Sequence, residues 1–135
     1  TESINRISVL LHRDAHKRQL TCLEQLKFWT DLSGAIIPSR DVLDRVGLTK
    51  LANQKTGTLS AGQSRKLAFA RLMQSGAKLW IMDEPTAALD AQSEAGFYAI
   101  LKDHLENSGM AIIASHAPHP KGITQTKLLQ FGEAP

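Results

Sequence analysis

The chain holds one cysteine in 135 residues, Cys22, which excludes an internal disulfide, and it has no Cys/His spacing of the zinc-binding kind. A reducing compartment fits that usage. No apolar run approaches the roughly 20 residues that a membrane-spanning helix needs, and the first residues lack the apolar centre of a signal peptide. Any membrane association is therefore expected to come through a partner. The formal charge is +3, but Lys and Arg are interspersed with Asp and Glu rather than gathered in a block, so no nucleic-acid partner is expected. There is also no heptad run, internal repeat or low-complexity segment.

With 42% apolar residues, the chain is long enough for one core and too short for two comfortable domains. Residues 4–11, with Ile7, Val9, Leu10 and Leu11, predict a short strand that runs into polar His12, Arg13 and Asp14. Thr21 to Glu24 has the Thr-x-x-Glu form of a capping box, and Leu23, Leu26, Phe28 and Trp29 give the following helix an apolar side. A second short helix is expected after Ser39, using Val42, Leu43 and Val46 and stopping at Gly47. Residues 14–55 thus read as mainly helical.

From Thr56 the pattern becomes loop, helix, strand, helix, strand, the alternation of an open α/β sheet. Ser60 is a favoured N-cap for a helix over 61–74. Residues 79–82 are too short for a helix and suit a buried parallel strand ending at Asp83. A helix over 92–107 closed by Gly109, a buried strand over 110–114, and a final edge strand over 127–131 complete the reading.

Two segments carry chemistry. In Leu79-Trp80-Ile81-Met82-Asp83-Glu84-Pro85 a buried strand delivers adjacent carboxylates to its carboxyl end, where open α/β sheets bind ligands. Neighbouring strand residues point to opposite faces, so the two can hold different jobs. Asp83 is placed to bind Mg²⁺ directly or through water, and Glu84 to orient and polarise an attacking water. Alone, the tripeptide is more often an ordinary strand terminus; the four apolar residues before it and Thr86-Ala87-Ala88-Leu89-Asp90 after it favour the chemical reading. In Leu59-Ser60-Ala61-Gly62-Gln63, a helix start presents unpaired amides and a partial positive charge suited to a phosphate oxygen, with the Ser60 hydroxyl beside them. Gly62 lets that backbone approach closely. His116, leaving the next buried strand, can reach the cleft of Glu84. The other histidines, His12, His16, His104 and His119, read as exposed or structural.

Leu59 through Gln63 resembles the signature of ABC-type ATPases, Leu79 through Glu84 their Walker B, Ala88-Leu89-Asp90 their D-loop and Ser115-His116 their switch, or H-loop. The four occur in the family's order and spacing, and the likeness spans the chain, most specifically from Gly57 to His116. The wording of the early helix, the signature helix and Walker B is similar to the CcmA-type ATPase of the haem exporter in cytochrome c biogenesis. The resemblance implies an α/β fold: part of a P-loop NTPase core with a mainly parallel sheet, plus a helical subdomain over about 14–55 that grips a membrane subunit, with Phe28 and Trp29 as contact candidates.

The resemblance further implies ATP and Mg²⁺ as ligands, with Glu84 and His116 catalytic, Asp83 on the metal, and Ser60, Gly62, Gln63 and Asp90 toward nucleotide. A second ATPase subunit and a polytopic permease would be the partners, at the cytoplasmic face of the inner membrane. His12 stands where many members have a glutamine. No Gly-x-x-x-x-Gly-Lys-Ser/Thr occurs in these 135 residues. That absence leads to the expectation of an N-terminal truncation and of negligible hydrolysis by the chain alone. The alternatives are an ATPase of another transporter subfamily and a non-catalytic interaction module derived from one.

Overall fold

A computed structural model describes residues 7–11, 15–34, 37–116 and 123. Three strands, β1 (Ile7–Leu10), β2 (Leu79–Asp83) and β3 (Met110–Ala114), form a parallel sheet in the order β1-β2-β3. Between β1 and β2 lie α1 (Cys22–Ser33), α2 (Ser39–Arg45), two single 3₁₀ turns and α3 (Ala61–Gln74); α4 (Ala91–Glu106) connects β2 to β3. Both crossovers step the same way across the sheet, so right-handed connections place their helices on one face. Accordingly α3 packs on β1 and α4 on β3, and Phe69 of α3 stacks on Phe97 of α4 with ring centroids 4.7 Å apart.

The strand register makes the sheet two-sided in character. Ser8, Trp80 and Ala111 align, as do Leu10, Met82 and Ile113, and this side is the covered one: Leu10, Trp80 and Met82 are buried. The opposite side carries Ile7, Val9, Leu79, Ile81, Met110 and Ile112. Ile7, Val9, Met110 and Ile112 are between 43% and 59% exposed, although parallel sheets ordinarily bury both faces.

The helical segment closes on itself. Cys22 N–H donates to Gln54 O at 3.0 Å and Thr56 N–H to Leu20 O at 2.8 Å, tying its entry to its exit. The Thr21 capping box forms in both directions, and Gly47 has φ 74°, as a helix stop requires. Burial of Cys22 raises its thiol pKa, as expected for a packing residue rather than a reactive thiol.

Three expectations need correction. The strand over 110–114 is not a buried one: none of its residues is buried, because it ends the described sheet and α4 packs on only one of its faces. After α4 the left-handed residue is Ser108, φ 66°, and not Gly109. Gly109 is required for space: a Cβ there would stand 2.4 Å from the His104 ring and 2.5 Å from its carbonyl oxygen. That ring lies flat on Trp80, 3.7 Å between centroids. Trp29 is no surface contact either; it is 7% exposed, with Arg71 over its ring, because the apolar stripe of α1 faces α3. The exposed apolar residue of α1 is Leu32. The expected strand over 127–131, the start of the first strand at 4–6, and His12 and His119 lie outside the described residues.

Candidate functional site

The carboxyl ends of β2 and β3 meet at one place. Asp83 is the last residue of β2, and Glu84 follows with φ 47°, a left-handed conformation that costs a non-glycine residue about 1 kcal/mol or more. The turn is held from β3, where Ala114 O accepts the Glu84 N–H at 2.8 Å. The reversal aims the Glu84 carboxylate at the end of β3. There Oε1 accepts from the His116 backbone N–H at 2.9 Å and Oε2 from the Ser115 hydroxyl at 3.2 Å.

The His116 imidazole is fully exposed, with Nε2 3.9 Å from Glu84 Oε1, too far for a hydrogen bond. Glu84 and His116 therefore open onto the same side, joined through main chain. Asp83 ends on the other side of the strand, its side chain exposed and, among the described residues, without a hydrogen bond or ion pair. No group of three or more metal-ligating side chains occurs among the described residues. An exposed lone carboxylate fits Mg²⁺, which takes one or two carboxylates and keeps water or phosphate oxygens for the rest.

The start of α3 is the second candidate element. Ser60 Oγ accepts from Gln63 N–H at 3.1 Å, and Gln63 Oε1 accepts from Ser60 N–H at 2.9 Å, a closed capping box. The Ala61 and Gly62 amides have no acceptor among the described residues, which leaves them available to an anion. Gly62 also makes a close internal approach: a Cβ there would stand 3.0 Å from the Ala88 carbonyl oxygen, a tight contact, in the turn after Glu84. That turn has Ala88 at φ 66° and delivers Asp90, whose Oδ1 caps α4 by accepting from Ser93 N–H at 2.7 Å. The same backbone bond is the main reason the Asp90 carboxyl sits below its ordinary pKa, with Lys66 adding a smaller pull.

Three features escaped the sequence reading. The Ser60–Gln63 box could have been read from Ser-x-x-Gln, as Thr-x-x-Glu was. The Ser115 hydroxyl on Glu84 had no local signal. Arg65 had one: it lies at helical spacing with Phe69 and Leu72, a charged residue on an apolar stripe, and it is 3% exposed.

The ABC transporter family model matches residues 1–87. Proteins named cytochrome c biogenesis ATP-binding export protein CcmA are similar. That of Rhizobium johnstonii is 42% identical over 79% of this chain and 52% of its own length. That of Nitrobacter winogradskyi is 44% identical over 91% and 61%. The chain thus spans about half the length of the curated relatives it matches. An inward-facing structure of an ABC transporter of the metal-chelate type shares the fold, with a TM-score of 0.63 at 23% identity over 80% of this chain and 47% of that one.

Proposed function

The chain belongs to the ABC transporter family, and from that premise we propose that it supplies the signature, Walker B, D-loop and H-loop portion of a CcmA-type ATPase subunit serving haem export in cytochrome c maturation. The observation that carries this reading is the Glu84 carboxylate, held by Ser115 and the His116 backbone where two parallel strands end.

In this reading Glu84 orients and polarises the attacking water, its two oxygens fixed before the nucleotide arrives. His116, bonded at its backbone, leaves its ring free to donate to the γ-phosphate. Asp83 would hold Mg²⁺, which when bound neutralises charge developing on the phosphate oxygens. Ser60, Gly62 and Gln63 serve the nucleotide of a second subunit, with the Ala61 and Gly62 amides as donors. Asp90 holds the D-loop turn against α4. The residues over about 14–55 form the subdomain that contacts a polytopic permease at the cytoplasmic face of the inner membrane. No described helix is long and apolar enough to cross a membrane.

These 135 residues contain no P-loop, so the chain by itself hydrolyses ATP negligibly. The test joins it behind the P-loop-bearing N-terminal half of a CcmA relative and compares turnover with the chain alone. Positioned-base contributions of about 10²–10⁴-fold set the expected loss in Glu84→Gln of the fusion. Turnover by the chain alone, abolished by that substitution, would contradict its dependence on a P-loop. Hydrolysis by the fusion that survives Glu84→Gln would remove Glu84 from the mechanism. A fusion that assembles but never turns over would favour the non-catalytic interaction module.

A further inference from the structure

Arg65 is a buried cation that donates to several main-chain carbonyls. From the second turn of α3 its Nη1 donates to Leu11 O at 2.6 Å, at the exit of β1. Its Nη2 donates to Asp83 O at 2.5 Å and Glu84 O at 2.7 Å, and its Nε to Pro85 O at 3.3 Å. One guanidinium therefore gathers carbonyls from the carboxyl ends of two neighbouring strands and from the turn beyond the second. Three consecutive acceptors on one side of that turn match a planar fork of donors; an ammonium group, a point donor, cannot reach them together.

The consequence falls on Glu84. Its N–H is fixed to β3, and its C=O accepts from Arg65 as well as from Ala87 N–H. Both peptide planes around a residue at φ 47° are thus anchored, which sets the direction of its side chain toward Ser115 and His116. We propose that Arg65 is a positioning residue for the Glu84 carboxylate, acting through main-chain carbonyls and fastening the helix that starts at Ser60 to the turn that carries Glu84. Its bearing on hydrolysis rests on the ATPase reading above; the geometry itself does not. Arg65 holds the left-handed turn in place, and the turn holds the carboxylate.

The test uses the ¹⁵N-labelled chain without nucleotide. The His116 amide is bonded to Glu84 Oε1, so at neutral pH its exchange with solvent is slowed, and Glu84→Ala identifies the effect by removing it. In Arg65→Lys and Arg65→Met that exchange is expected to speed up at least about twofold, because neither side chain can replace the fork. Phe97→Ala, which weakens the core elsewhere, should leave it unchanged. Parent-like exchange of this amide in folded Arg65 variants overturns the proposal.

Should neither variant fold, the native chain decides. Slow solvent exchange of the Arg65 Nε–H, in step with the most protected amides, supports the assignment, and exchange as fast as that of exposed arginines overturns it. Because no nucleotide is involved, a fusion that fails to hydrolyse ATP would sink the ATPase reading while leaving this result intact.

Discussion

Ser60 serves two masters, capping α3 and offering a hydroxyl to an anion, and a pair of substitutions separates them. Ser60→Ala deletes the oxygen that accepts from Gln63 N–H at 3.1 Å and leaves Gln63 Oε1 to bond the Ser60 backbone alone. Loss of a serine N-cap costs about 1 kcal/mol. An unfolding entropy of about 2.1 cal/mol/K per residue gives roughly 0.28 kcal/mol/K for a chain of this length, so Tm should drop by about 3–4 °C. Ser60→Asp keeps a good cap and puts a carboxylate where an anion would sit. It should therefore melt within about 1 °C of the parent, yet abolish turnover when a P-loop-bearing fusion is assayed. Calorimetry of the three chains at pH 7 measures the first part. An unchanged Tm in Ser60→Ala would refute the capping argument, because an exposed serine without a structural bond has nothing to lose.

Two further perturbations probe the packing beneath the site. Gly109→Ala forces a Cβ to within 2.5 Å of the His104 ring and its backbone carbonyl. It should destabilise by about 1–3 kcal/mol in urea titrations, only partly relieved by a second His104→Ala change because the carbonyl remains. His104 itself has a lowered pKa, chiefly because burial against Trp80 disfavours its charged form. Its contribution should be complete above an unfolded value of about 6.5 and diminish as the pH falls below it, since the unfolded chain binds the proton first. Urea midpoints followed downward from pH 8 should show that acid-side loss, and His104→Gln should flatten it; a parent and variant with parallel pH profiles would contradict the assignment.

The sequence by itself determined the local elements. Thr21 with Glu24 fixed the start of α1, Ser60 that of α3, and Gly47 the end of the α2 turn, since each depends on bonds or φ values within a few residues. The apolar runs at 79–82 and 110–114 likewise announced strands, although not the exposure of the second, and the carboxylate pair at the end of the first marked the candidate site.

What only the tertiary structure decided involves residues far apart in the chain. Parallel pairing of β2 with β3 brought Glu84 to Ser115 and His116, some thirty positions away. The packing of α3 beneath the strand ends turned Arg65 from a helix charge into a clasp on Leu11, Asp83, Glu84 and Pro85. The space Gly62 leaves was likewise claimed by Ala88. A carbonyl has no side-chain identity, so bonds to main chain leave no trace in the order of residues. They exist once the helices and strands are stacked, which is why the motifs could be read along the chain and the contacts that aim them could not.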